Sequence, residues 1–361
     1  MDSKQKYKVI GLMSGTSLDG VDIACCTFSY KKRWTFTIEK AETVHYSSEW
    51  FKKLKDAHTL SAEQLHELDH AYGKFLGGLS NNFIRKNKIR NVDFISSHGH
   101  TIFHQPEKGF TLQIGNGNDI HTVTGLPVIF DFRSLDVANG GQGAPLVPIG
   151  DKLLFSDYDV CLNFGGIANL SFELKKKRVA YDVCYVNMGL NYLAEKIGKK
   201  YDAFGDVASS GELNKELLSK LQAVYQTTKK KRPALAREFF EQKIQPLLDQ
   251  EKISVPDRLR TFTESIAQQL SEVILKSGKR MTVLCTGGGA LNSFLMYRLV
   301  EHCGDDATLV IPEKGIIDFK EAIVFAFLGV LRSRNEINCL KSVTGATQDS
   351  SAGLMIGSFK S

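Results

Sequence analysis

The sequence predicts an α/β protein built as two related domains. Three observations carry that reading. A glycine-turned hairpin near the start is repeated roughly 150 residues later, a domain-scale distance far from solenoid periods. Each copy is followed by alternating strands and helices. The 361 residues also exceed what one ordinary core holds. Hydrophobic residues make up 42% and charged residues 24%, which excludes wholesale disorder.

In chain order, the apolar run 8–13 breaks at Ser14-Gly15-Thr16-Ser17-Leu18-Asp19-Gly20 and resumes at 21–28, a strand–turn–strand pattern. The alternating stretch 35–44 predicts a third strand. Leu65, Leu68, Tyr72, Phe75 and Leu76 fall near helical spacing and predict a helix over 62–86. A strand over 92–96 runs into Ser97-His98-Gly99-His100-Thr101, and a buried strand over 127–132 precedes a Gly-Gly-Gln-Gly stretch at 140–143. The second copy is a strand over 160–164, the turn Gly165-Gly166 and a return over 167–172. Helices follow near 187–197, 212–227 and 257–277, then a strand over 282–285, the turn Thr286-Gly287-Gly288-Gly289 with a helix from Leu291, a strand over 307–311 and an apolar helix over 319–332. The expected domains are 1–135 with 345–361, and 136–344, facing each other across a ligand-binding cleft.

The net charge of +6 is modest for this length, and the basic runs 175–178 and 229–232 read as solvated surface, so no nucleic-acid role is expected. Seven cysteines (Cys25, Cys26, Cys161, Cys184, Cys285, Cys303, Cys339) show no CxxC spacing and several lie in apolar runs; they read as buried thiols of a reducing compartment. The start has no signal-peptide core, and the longest apolar run, 322–331, is too short to span a bilayer. A cytoplasmic protein without a membrane role is expected.

The chemistry concentrates in the glycine turns. Gly15, Thr16, Ser17, Leu18, Asp19, Gly20, Val21 and Asp22 combine close-approach backbone, hydroxyl donors and two carboxylates, suited to a phosphate and its Mg²⁺; the bland alternative is an Asp-rich hairpin. Asn163, Gly165, Gly166 and Asn169 form a second such loop. Gly287, Gly288 and Gly289 let a flat ligand lie on the backbone, yet match neither a Walker loop nor a GxGxxG fingerprint. His98, His104 and Gln113 have the polar variety of a sugar pocket. The spacing of His98, His100 and His104 alone would allow a metal, but no carboxylate or Cys completes a set, so no protein-held metal is expected.

Together these loops resemble the two phosphate loops and the adenosine loop of the actin, hexokinase and Hsp70 type, two ribonuclease H-like domains flanking a central active-site cleft. A closer resemblance is to the anhydro-N-acetylmuramic acid kinase family. It is carried by Gly11-Leu12-Met13-Ser14-Gly15-Thr16-Ser17-Leu18-Asp19-Gly20-Val21-Asp22, by residues 97–106, by Leu112-Gln113-Ile114-Gly115 and Asp131-Phe132-Arg133, and by residues 140–148, 163–169 and 286–292. Lys320-Glu321-Ala322 and Val343-Thr344-Gly345-Ala346 complete it, in the family's order along nearly the whole chain.

The resemblance implies an ATP- and Mg²⁺-dependent enzyme that opens the 1,6-anhydro bridge of its sugar with water and phosphorylates O6. It implies Asp182 as general base, Glu321 in support, the three loops as nucleotide-binding, and His98, Gly99, Thr101, Gln113, Gly115, Asp131 and Arg133 as sugar-binding; homodimers are common in the family. Asp182 and Asn187 match the family's base motif, but the Gly-Pro-Gly between them is replaced by residues 183–186. Asp131 is the next candidate base; Asp131, Arg133 and Asp136 follow a buried strand and precede the Gly-Gly-Gln-Gly stretch, and an internal Asp–Arg brace is their structural alternative. Glu321 is also expected near the N-terminus of its helix, where its charge would suit the dipole. An ordinary sugar kinase and a nucleotide-gated binding protein are the competing functions.

Overall fold

The computed structural model describes residues 5–229, 235–276 and 278–359; most of the basic run 229–232 lies outside them. The strands are β1 (Lys6–Ser14), β2 (Gly20–Tyr30), β3 (Trp34–His45), β4 (Phe94–Gln105), β5 (Phe110–Ile114), β6 (Val128–Phe130), β7 (Val160–Phe164), β8 (Ile167–Leu174), β9 (Lys177–Tyr185), β10 (Met281–Thr286), β11 (Ala307–Val310) and β12 (Leu354–Ile356).

The chain forms two compact units, Met1–Leu154 with Phe319–Ser361, and Phe155–Asp318. The expected boundaries at 135/136 and 344/345 therefore fall inside the first unit. Side chains explain the shift. The buried Asp136 carboxylate accepts the Thr344 hydroxyl at 2.8 Å, and buried Lys320 pairs with buried Asp151 at 2.7 Å, so 136–154 and 319–344 belong together.

In the first unit the strand order is β12-β6-β4-β1-β2-β3, with β5 on β4; β1–β2 and β2–β3 are antiparallel, β1–β4 and β4–β6 parallel. In the second unit β9-β8-β7-β10-β11 repeats the same order and directions. The hairpin duplication read in the sequence is thus a duplicated sheet.

Central strand β1 reads as a continuous apolar run because both its faces are covered. Tyr7, Val9 and Met13 join one core cluster, and Ile10 and Leu12 the other. The second face is covered by the helix Ala62–Lys86, started by a capping box between Ser61 and Gln64. The first is covered by the helix Lys314–Ser333, which begins well before the expected 319. Its backbone comes so close to β1 that a Cβ on Gly11 would sit 2.1 Å from the Ala322 carbonyl oxygen. In the second unit, Leu259, Phe262, Ile266 and Leu270 of the helix Val255–Leu275 pack into the core with β7–β10.

All seven cysteines are buried thiols outside any disulfide. In the run 175–178 the three lysines are exposed, but Arg178 is buried and donates to Ser171 Oγ at 2.7 Å, which corrects the all-surface reading. Among the described residues, no helix is long and apolar enough to cross a membrane.

The Gly11 contact yields a direct expectation. Gly11→Ala forces a methyl into backbone and should cost about 2 kcal/mol or more. By differential scanning calorimetry this is a fall in Tm of about 4–8 °C.

Candidate active-site residues

The first loop joins β1 to β2, with Thr16, Ser17 and Asp19 exposed and Val21 buried. Leu18 adopts a left-handed φ of 58°, its N–H reaching the Gly15 carbonyl at 3.4 Å, and Ser17 Oγ donates to Asp19 at 2.8 Å. A Cβ on Gly20 would lie 2.5 Å from the Val44 carbonyl oxygen, so this glycine seats β3 against the loop. Asp22 accepts the Thr43 hydroxyl at 2.5 Å.

In the second unit two of the predicted loops meet. Gly287, at φ 81°, is packed so that a Cβ would fall 2.6 Å from Asn163 Oδ1, and one on Gly289 would fall 3.0 Å from Asn187 Oδ1. Asn187 Nδ2 donates to the Phe164 carbonyl at 3.1 Å. The Gly165 carbonyl accepts from Asn187 N, and that of Gly166 from Val186 N and Met188 N. These bonds tie the 163–169 turn to the helix Asn187–Glu195. The glycines 287–289 run into a short 3-10 turn, and the helix starts at Ser293 behind an Asn292 cap, two residues later than expected.

Asp182 lies in β9 opposite Asn169 of β8. A bulge at this point leaves Val183 unpaired, and Cys184 faces buried Ala168 while Asp182 faces exposed Asn169. Plain alternation would put Asp182 and Cys184 on one face; the extra residue separates them. One Asp182 oxygen accepts Leu235 N–H at 2.9 Å, and burial raises its carboxyl above the ordinary range, with that N–H opposing. The stretch that departs from the family pattern fills the core: Cys184, Tyr185 and Val186 are fully buried, and Tyr185 donates its hydroxyl to the Ala236 carbonyl at 2.6 Å.

The first unit assembles a charged cluster around Phe325. His98 packs tilted against that ring at 4.5 Å between centroids, and the Arg133 guanidinium lies over it at 5.9 Å. Arg133 Nε donates to His98 Nε2 at 2.9 Å and Nη1 to the Gly143 carbonyl at 2.7 Å. Arginine has no acceptor, so His98 carries its proton on Nδ1, donated to the Gly99 carbonyl at 2.9 Å. Burial, and next the Arg133 charge, push His98 well below its ordinary pKa; it stays neutral. Burial lowers Arg133 to about 10, with Glu321 opposing.

Glu321 is two turns inside its helix, so the expected dipole effect is absent. Its side chain reaches water, yet the protein packed around it raises its carboxyl; Arg133 opposes this, Asp22 adds to it and Lys320 opposes it.

The remaining predicted residues serve structure as well. Gly99, at φ 73°, bends β4 and would bring a Cβ to 2.4 Å from the Ile114 carbonyl oxygen. Gly115 N–H is already taken by Asp69 at 2.7 Å. Gln113 Nε2 donates to Thr111 at 2.8 Å and Thr101 at 3.3 Å, leaving its Oε1 buried and unpaired. Asp131, at a strained φ of 55°, accepts Ser134 N–H at 3.2 Å and forms no brace with Arg133 among the described residues.

Asp136, read in the sequence only as a candidate member of an Asp–Arg brace, supports Arg133 through Gly143 instead of pairing with it. Fully buried, it accepts Gly143 N–H (2.7 Å), Thr344 Oγ–H (2.8 Å) and Cys339 Sγ–H (3.1 Å), and Gly143 in turn holds Arg133. The signal was present as an Asp before Gly-Gly-Gln-Gly, but its partner at 344 is distant in sequence.

Two sheets of one strand order, each opening on a glycine-turned hairpin, define a duplicated ribonuclease H-like protein of the actin, hexokinase and Hsp70 type. The family model for anhydro-N-acetylmuramic acid kinase matches residues 7–357, and the chain belongs to that family. The anhydro-N-acetylmuramic acid kinase of Mannheimia succiniciproducens is 35% identical over 98% of this chain and 99% of its own length. The proteins of the same name from Sulfurimonas denitrificans and Pasteurella multocida are 32% and 33% identical, each over 95% of this chain and over 98% and 95% of their own.

Asp136→Asn turns an amide N–H₂ toward either Gly143 N–H or Thr344. Urea unfolding should show a loss of about 1–3 kcal/mol.

Proposed function

We propose that this protein uses ATP and water to open the 1,6-anhydro bridge of anhydro-N-acetylmuramic acid and phosphorylate the freed O6, giving N-acetylmuramate 6-phosphate and ADP in peptidoglycan recycling. Family membership supports the substrate class. The observation that carries the hydrolytic half is Asp182: half-buried, raised above the ordinary carboxyl range, and, among the described residues, engaged in a hydrogen bond through one of its oxygens.

In this reading the Asp182 carboxylate takes a proton from water as the water oxygen bonds to C1. The C1–O6 bond breaks, and O6 receives the γ-phosphoryl group, so no separate acid need protonate it. Asn163, Gly165, Gly166, Asn169 and Gly287–Gly289 bind nucleotide, with Gly15–Asp22 of the first unit; among the described residues the Gly165 and Gly166 amides have no backbone acceptor, and they suit phosphate oxygens. Exposed Asp19, together with Asp22, offers the oxygen donors Mg²⁺ prefers; when bound, the ion neutralises phosphate charge. Arg133 offers its cation to the sugar's carboxylate, with His98, Gly99, Thr101, Gln113, Gly115 and Asp131 around it, and Glu321 hydrogen-bonds in support.

Incubating the protein with ATP, Mg²⁺ and the anhydro sugar should give a product heavier by phosphate plus water. Phosphate without water would instead mark an ordinary sugar kinase, and no product a binding protein. Asp182→Asn should abolish turnover, keep nucleotide binding, and be at least as stable as wild type near neutral pH, because an ionised carboxylate with a raised pKa weakens the folded state there. Turnover needs the ionised base, so the acid limb of kcat should fall at a higher pH than an ordinary Asp would give. An Asp182→Asn variant with full activity would overturn the assignment.

A further inference from the structure

Ser14, Tyr46, Tyr72 and His100 form a buried polar chain that none of the roles above uses. Tyr72 and Tyr46 hydroxyls lie 2.6 Å apart, Tyr46 and Ser14 hydroxyls 2.6 Å, and Ser14 Oγ is 2.9 Å from His100 Nδ1. Counting protons gives the chain a direction. Among the described residues, fully buried Tyr72 makes one direct hydrogen bond, to Tyr46, and its proton goes there. Half-buried Tyr46 has Ser14 as its acceptor within the protein, and Ser14 has His100 Nδ1. In that arrangement His100 is the Nε2–H tautomer, the opposite of His98.

That Nε2 has no hydrogen-bond partner among the described residues, although His100 is only 3% exposed, and it is not among the polar atoms sealed from solvent. Gly99 creates the arrangement. Phe94, Ser96 and His98 face the helix Lys314–Ser333, but the left-handed turn at Gly99 sends His100 to the opposite face, beside Tyr72. There it pairs with Ser14, the last residue before the first loop, and with Ile114, while the next pair is Thr101 with Gln113.

We propose that His100 donates its Nε2–H to a neutral oxygen of the bound sugar, its tautomer set by the Ser14–Tyr46–Tyr72 chain. This rests on the sugar-kinase reading above. A sugar hydroxyl or amide oxygen suits it better than a phosphate, because the imidazole is uncharged: burial alone lowers it, to about 4, and no charged group adds to that shift.

Nitrogen NMR on ¹⁵N-histidine-labelled full-length protein near neutral pH tests the chain without any ligand. His100 should be Nε2-protonated, and Tyr46→Phe should mix its tautomers; an Nδ1-protonated or charged His100 overturns the chain. Adding anhydro-N-acetylmuramic acid without nucleotide should shift the Nε2–H resonance, whereas a shift on adding ADP alone would overturn the sugar assignment.

His100→Asn keeps a group near Nδ1 but removes the outward donor, and should raise the sugar KM about 3- to 10-fold with kcat and nucleotide Kd nearly unchanged. His100→Gln, with an amide near the Nε2 position, should recover part of the loss. A folded His100→Asn variant with wild-type KM sinks this proposal alone. Wild-type protein that makes no product from the sugar sinks the functional reading, while the tautomer result still stands.

Discussion

The helix Lys314–Ser333 lies on β1 with its Ala322 carbonyl where any Cβ at Gly11 would be. That backbone-to-backbone approach registers the charged cluster of the first unit. Glu321 is the residue just before Ala322, and Phe325, about one turn on, is the ring against which His98 and Arg133 pack. Two further contacts lock the register. Ser96 donates to the Phe325 carbonyl at 2.5 Å, and Gly329 leaves room for the Ser96 side chain, only 2.6 Å from where a Cβ would be. A helix carrying bulkier residues at these points would stand off from the sheet and take the carboxylate with it.

Both units re-aim chemical groups by breaking strand alternation at one residue. In β4 the turn at Gly99 puts His98 and His100 on opposite faces; in β9 the unpaired Val183 does the same for Asp182 and Cys184. A regular strand would have sent the Asp182 carboxylate into the interior that holds the Cys184 thiol, whose pKa burial raises far above the usual range. The devices arise from different residue types at different places, so they are local solutions to one geometric problem.

Arg133 and Asp136 are each held by neutral groups and not by a direct ion pair among the described residues. Arg133 rests on an imidazole, a carbonyl and an aromatic face, and its nearest anion, Glu321, acts through space. A cation held this way keeps donors and field available to an anionic ligand, whereas a close carboxylate would neutralise both. The Asp136 carboxylate behaves similarly, held by an amide, a hydroxyl and a thiol with no cation beside it.

Periodicity and glycine placement alone determined the duplication, the helix at 62–86 and the three loops, because these depend on residues close in sequence. The 183–186 replacement was visible as a departure from the family pattern, but only packing shows that those residues became core. Tertiary structure decided three other matters. The helix began at 314, so Glu321 is governed by its neighbours in space and not by a helix terminus. The unit boundary fell at 154/155 and 318/319, because Asp136 and Thr344, and Asp151 and Lys320, find each other across long stretches of chain. The two histidines of one short motif took opposite faces, His98 with its Nδ1 on a carbonyl and His100 with its Nδ1 on a hydroxyl. Proton positions and pKa values follow from which buried partners surround a group, and those partners are set by the fold, not by sequence neighbours.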